Sequence, residues 1–534
     1  MTFPPSRASA DQVEGVALLE EKNMSDANSI SSSSSSATAV SLTFAAPSQP
    51  PWLQRVPSIP KPSRPLHFLR RTAYFLVPSP FTSRLSCPSR VASSNGRLAP
   101  TAYLDGMRGM AAFFVFMCHY LYTSFVITEG YGVVNPENNK TQTSLLTLPF
   151  IRLIYSGPPM VCIFFVVSGY ALSLKALRLM RTPGKRGEVG GVVGSMVFRR
   201  VLRLYLPTAI STFMVVILLR MGAYEVNRGF AGDKKFIRNV VEHHPVRMST
   251  TGAQIKDWLH SMFNFLHVWS WKRFAGSTLY DVHLWTIPVE FRASMTIFVI
   301  LVGTSHLSNL ARMTAVLVAT LFSYLWDKWE MVLFLAGLIL AELDLIRASA
   351  KSTTEHETPT LPYFSKPSKT VEGRVHRLAW LVLSIPALYL MGQPDQFFHI
   401  TPGWVWLSSL IPEWFGDKYR FWQCIGSILF VACVSRVPGW RRAFEHPIPQ
   451  YMGKISYAIY LVHGPVIHTI GYTAERWAWG ITGTGGYSFE LGFGIASFVT
   501  VPAMLWAADV FARGVDQPCV KFARWVENVC RAKD

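Results

Sequence analysis

The stretch Tyr103-Leu-Asp-Gly-Met-Arg-Gly-Met-Ala-Ala-Phe-Phe-Val-Phe-Met-Cys-His119 decides how the rest of the chain is read. It is apolar apart from Asp105, Arg108 and His119, and with its flanks it reaches the roughly 20 residues that a membrane-spanning helix needs. Arg108 and His119 lie eleven positions apart. At about 100° per residue that is within roughly 20° of three full turns, so the two share a face about 16 Å apart along the axis. Taken singly, the arginine could snorkel to headgroups and the histidine could be held by a neighbouring helix. Together on one face, costly ionisable groups point to an interior cavity.

Working outward, the whole chain suits lipid. Of 534 residues, 50% are apolar and only 16% charged, with a mean hydropathy of +0.24; soluble proteins carry about a quarter charged residues. The formal net charge is +19. A nucleic-acid binder would gather that excess into a stripe on a soluble domain. Here it gathers between apolar runs, as the positive-inside rule requires, so nucleic acid is not expected as a partner. The lipid bilayer and anionic cofactors are. Cys87, Cys118, Cys162, Cys424, Cys433, Cys519 and Cys530 show neither CxxC nor metal-ligand spacing, so no disulfide framework and no metal are expected.

The fold expected is an all-α, polytopic transmembrane helical bundle of about ten spans: 104–126, 154–175, 201–220, 284–304, 311–327, 329–346, 378–393, 421–436, 453–472 and 490–512. Residues 1–100 read as a disordered Ser/Pro-rich tail, 101–513 as the transmembrane domain and 514–534 as a basic tail. Lys and Arg concentrate in the tails and in the loops after spans two, six and eight, for example Lys175, Arg178, Arg347, Lys351, Arg441 and Arg442. An even number of spans with both termini cytosolic fits that distribution. Within the tail, 66–77 is short, basic and amphipathic and suits a membrane surface; the aromatic-rich stretch from Ile255 to Trp271 suits the interface. Asn139-Lys-Thr141 is a glycosylation sequon in the first non-cytosolic loop, and Asn23-Met-Ser25 is another in the cytosolic tail. Only Asn139 is expected to be modified.

Other polar residues recur inside or beside the spans. Arg199, Arg200 and Arg203 sit where a cytosolic loop enters span three; 199 and 203 share a helical face, and 200 and 203 are neighbours. Guanidinium forks suit phosphate oxygens, although an ordinary positive-inside cluster would look the same. Glu290 lies in span four and needs a partner, which His119, His283 or His463 could supply. Ser456, Tyr460 and His463 form one stripe of span nine, able to bind acceptor hydroxyls or to pin helices.

Several of these stretches share a common likeness. Leu104-Asp-Gly-Met-Arg-Gly-Met-Ala-Ala111 with His119, Ile163-Phe-Phe-Val-Val-Ser-Gly-Tyr170, Phe198-Arg-Arg-Val-Leu-Arg-Leu-Tyr-Leu-Pro207, Leu284-Trp-Thr-Ile-Pro-Val-Glu-Phe291 and Ile455-Ser-Tyr-Ala-Ile-Tyr-Leu-Val-His463 follow one another in the order of five signatures. In that order they resemble the acyltransferase-3 family of integral membrane acyltransferases. One departure is Pro288, where many members have Ser, which bears on the helix just before Glu290.

The resemblance implies transfer of an acyl group, commonly acetyl, from acyl-CoA to an acceptor hydroxyl. Read in that light, His119 is the candidate general base. Arg108 would hold a CoA phosphate or the developing carbonyl charge, and Glu290 would orient the imidazole. Arg199, Arg200 and Arg203 would take CoA phosphates, and Ser456, Tyr460 and His463 the acceptor. A small metabolite, a surface glycan or a lipid could be that acceptor. A transporter relaying protons through His119 and Glu290 is the reading from another class; transporters often show two related halves, and none is evident in this sequence.

Overall fold

Apolar runs of this length can satisfy their backbone in lipid only by coiling into helices. The structure, a computed structural model, describes residues 74–79, 98–268, 276–355 and 371–532, all within one compact unit, Phe68–Asp534. Most of the tail expected to be disordered, including Asn23, lies outside those residues. The main helices in chain order are α1 Ala102–Tyr122, α2 Gly157–Arg181, α3 Glu188–Arg220, α4 Thr251–Phe265, α5 Thr286–Gly303, α6 Asn309–Leu325, α7 Trp329–Glu355, α8 Val371–Met391, α9 Phe421–Arg436, α10 Pro447–Val466, α11 Tyr472–Thr482, α12 Tyr487–Phe511 and α13 Gln517–Cys530. Among the described residues there is no strand, only two isolated β-bridges.

Every expected span falls on one of these helices, yet few are plain membrane crossings by length and composition. Among the described residues four stretches qualify: Gly157–Arg181, Glu188–Arg220, Val282–Gly303 and Tyr487–Cys530. A fifth is added if the bent pair Lys418–Arg436 and Pro438–Glu445, 93° apart, counts as one span. Elsewhere the bundle has exchanged apolar residues for buried polar pairs. α7, for instance, carries Glu342, whose carboxylate meets both Arg181 and Arg312 at 2.6 Å. Polar groups inside a bundle need such partners, and they dilute the apolar signal that marks a span. The outer surface is apolar in the manner of a lipid-facing one: Leu310, Phe322, Val299 and Phe498 stand exposed.

Small residues let the central helices meet backbone to backbone. α1 lies along α10 and α2 along α7. A Cβ added at Gly109 would come within 2.2 Å of the Gly453 nitrogen, and one at Gly169 within 2.0 Å of the Phe334 carbonyl oxygen. Such crossings are the usual means of tight association in lipid. They fix α1 against α10 in register, so that the two polar stripes read from the sequence face each other.

Three local features differ from the sequence reading or refine it. Pro288 falls in the first turn of α5, where the backbone N–H groups have no intrahelical partner anyway, so the helix before Glu290 is undisturbed. The Ile255 region is a helix, α4, capped by the Thr250 hydroxyl, with Leu259 and Phe263 exposed along one side; its expected extension to Trp271 passes beyond the described residues at 268. The segment read as a basic tail contains the helix α13, which packs on α3. Its buried face is Cys519 and Ala523, with Phe522, Trp525 and Val529 exposed.

Candidate active site

The helices enclose a cavity of about 650 Å³ lined from α1, α2, α3, α5, α10 and α13. One end is basic, with Arg108, Arg199, Arg200, Arg203, Lys454 and Arg524 on its wall, together with Asp105 and Asp516. Apolar side chains of α2, Phe164 and Phe165 among them, line the middle. Glu290 and Ser456 stand against the arginines, and farther along α5 and α10 the wall becomes Thr286 and Tyr460.

The arginines differ in how far they are committed. Arg108 is about one-third exposed and held by Ser456 Oγ and Asp105 Oδ1, both at 3.1 Å. Arg199 meets Glu527 of α13 at 3.0 Å. Arg200 is partly buried and gives Nη2 to Glu290 at 2.6 Å and Nε to Ser294 at 3.1 Å. Arg203 lines the cavity and enters none of the ion pairs found among the described residues.

The partner of Glu290 is therefore Arg200, with Ser168 Oγ donating at 3.2 Å, and not a histidine as the sequence reading had it. The reason is geometric. Glu290 is one turn into α5 and points across to α3, whereas His283 precedes the helix and finds its carboxylates elsewhere. Orientation of an imidazole by Glu290 is not what this arrangement provides.

The stripe on α10 splits by depth. Ser456 holds Arg108. Tyr460 accepts a hydrogen bond from Thr286 Oγ1 at 2.7 Å and donates to the His283 carbonyl. His463 faces His119, their ring centroids 5.3 Å apart. Arg108 and His119 thus both meet α10, as their shared face requires.

His119 sits in a nest of rings: His283 at 4.2 Å, His463 at 5.3 Å and Tyr122 at 5.3 Å between centroids. Its Nδ1 is buried without a hydrogen-bond partner, as is His463 Nε2; the other nitrogen of His463 faces the Ile459 carbonyl at 3.2 Å. Nitrogens of His119, His283 and His463 lie within 4.8 Å of one another, a grouping that could hold a metal ion. However, His283 commits Nδ1 to Asp281 at 2.8 Å and Nε2 to Glu242 at 2.6 Å. As arranged it has no free lone pair, so the trio offers two open imidazoles rather than a set of three ligands.

Glu242, Asp281 and His468 are the members that sequence reading missed. Glu242 and Asp281 come from connecting segments, and His468 from the π-helical turn that continues α10. Asn239 Nδ2 donates to the Tyr122 and Phe125 carbonyls at 2.8 and 3.0 Å, which pins the segment to the end of α1 and delivers Glu242. The other Glu242 oxygen takes His468 Nε2 at 2.9 Å. His468 in turn meets His244 Nδ1 at 2.9 Å, and His244 Nε2 faces the Tyr224 carbonyl at 2.8 Å. Burial pushes the His244 imidazole down to about 4, so it is neutral; with Nε2–H given to the carbonyl, its Nδ1 accepts. The only available signal was local: Glu242-His-His244 and Asp281-Val-His283 each place a carboxylate beside imidazoles. Asn139 is exposed in its loop, at a φ of 54°.

A charged cavity inside an apolar helical bundle, with stacked imidazoles behind its Tyr460 wall, suits a membrane-embedded group-transfer enzyme. The chain belongs to the acyltransferase family Acyl_transf_3, whose acyltransferase domain matches residues 101–511, and it is accordingly a multi-pass membrane protein and an acyltransferase. It is 32% identical to the O-acetyltransferase PaAT-1 of Phomopsis amygdali over 447 residues, 80% of this chain and 84% of the relative. It is also 29% identical to Acyltransferase R4 of Phoma sp. (79% of this chain, 94% of the relative) and to Acyltransferase clz18 of Cochliobolus lunatus (79% and 94%). No solved structure matches.

Proposed function

We propose that this acyltransferase transfers an acetyl group from acetyl-CoA to a hydroxyl of a small secondary metabolite. The observation that carries the reading is the cavity. Five arginines line one end, and Tyr460 lines the other, hydrogen-bonded to the backbone of His283 in the imidazole stack. Arg199, Arg203 and Arg200 suit the diphosphate and 3′-phosphate of CoA; with Arg200 tied to Glu290, the first two carry most of that role. Arg108 then faces the phosphate or the thioester oxygen. His119 takes the proton from the acceptor hydroxyl as its oxygen attacks the thioester carbon. A C–O bond forms, the C–S bond breaks, and the thiolate leaves as CoA after receiving that proton. Ser456, Tyr460 and His463 border the space for the acceptor.

The acetyl group and the metabolite acceptor are supported by the name of the Phomopsis relative and by the fungal sources of all three. The charge asymmetry of the loops supports a cytosolic basic end, cytosolic termini and glycosylation at Asn139 on the opposite side. Purified protein supplied with acetyl-CoA and a metabolite extract should release CoA and yield a product heavier by one acetyl group. A folded preparation that acylates nothing with any acyl-CoA would overturn the reading.

A further inference from the structure

The ring of His119 is steered without hydrogen bonds of its own at Nδ1. What holds it are its neighbours, and two of the three answer to one side chain. Glu242, buried between them, accepts from His283 Nε2 at 2.6 Å and from the Tyr122 hydroxyl through the same oxygen. Tyr122 lies one turn beyond His119 on α1, with its ring edge-on to the imidazole. His283 is gripped at its second nitrogen by Asp281, whose Oδ1 also accepts the His283 backbone N–H at 3.0 Å. Both nitrogens of His283 thus face carboxylates, an arrangement that only a ring bearing hydrogen on each can satisfy.

We propose that Glu242 is a positioning residue for acyl transfer: it fixes Tyr122 and His283 as two walls against which the His119 imidazole is held. The inference rests on His119 being the base. These two walls fix that ring most firmly, for the third, His463, is held only by a backbone carbonyl at 3.2 Å. A base must be placed within a fraction of an ångström of the proton it removes, so a group that sets ring orientation acts on turnover and not on cofactor affinity. Glu242 belongs to a connecting segment and is not among the residues that line the large cavity with the arginines.

The test is Glu242→Gln in the full-length protein. Glutamine keeps the volume but can offer an N–H where the carboxylate only accepted, which breaks the grip on either His283 or Tyr122. Turnover should fall by about a hundredfold, less than the roughly 10⁴ seen when a carboxylate bonded directly to a catalytic imidazole is neutralised, because one ring intervenes. The KM for acetyl-CoA should stay within about twofold. In a His119→Ala background, Glu242→Gln should cost nothing more, since the ring it positions is gone. Should Glu242→Gln fail to accumulate in membranes, Tyr122→Phe serves instead, with a loss of about tenfold that also vanishes without His119. Full turnover in the folded variant, or a loss that simply multiplies with that of His119→Ala, would overturn the proposal. If His119→Ala alone keeps full turnover, it is the assignment of the base that fails.

Discussion

The two ends of the cavity solve the same difficulty, charge inside a membrane protein, in opposite ways. At the basic end, arginines remain partly exposed and several keep one flank open: Arg108 about one-third exposed, Arg199 similarly so, and Arg203 outside the ion pairs. Behind the Tyr460 wall, outside the cavity itself, Glu242 and Asp281 grip His283 from its two sides, all three almost wholly buried. Open cations suit a ligand that brings its own negative charge. A closed network suits a group that must be aimed, and it leaves His119 and His463 each with an unspent nitrogen. Binding and chemistry should therefore separate along the cavity.

The largest effect expected is at the inner end. His119→Ala should lower kcat by roughly 10² to 10⁴, the range for losing a positioned base, with little loss of protein from the membrane. Next comes the basic end. Arg199→Gln with Arg203→Gln should raise the KM for acetyl-CoA by about tenfold per lost charge-assisted contact and leave kcat nearly unchanged; an unchanged KM would mean that these arginines only set topology. Arg108→Lys keeps the charge but loses the fork that holds Ser456 and Asp105, and about a tenfold loss in kcat/KM is expected. Arg200→Gln breaks the rule for its end, because its partner Glu290 would be stranded. It should show itself as about 2 kcal/mol of lost stability in thermal melts, somewhat less than for a fully buried pair. Smallest of all, Asn139→Gln should remove one glycan, read as a gel shift, and leave turnover alone.

Legibility followed the same division. Arg108 and His119 announced a shared face through helical periodicity, and the structure sets both against α10, at Ser456 and His463. The arginine cluster was legible because like residues fell within one turn. Glu290 was placed on its helix but given the wrong partner, since several imidazoles and guanidiniums were equally remote in sequence and only packing selects Arg200. Glu242 and Asp281 were overlooked because they lie in connecting segments, where a carboxylate is ordinarily solvated; Asn239 docking on α1 is what buries the first. α13 was read as a tail because its basic residues outweighed a narrow buried face, Cys519 and Ala523. The number of crossings was blurred for a related reason: interior ion pairs such as Glu342 with Arg312 make true bundle helices less apolar than isolated spans.

The central claim, that one end of the cavity binds CoA and the other performs the transfer, is most directly tested by calorimetric titration of CoA itself into the wild-type, His119→Ala and Arg199→Gln/Arg203→Gln proteins. The account predicts equal affinity for the first two and a loss of about tenfold or more for the third. An arginine variant that binds CoA normally while His119→Ala does not would contradict it.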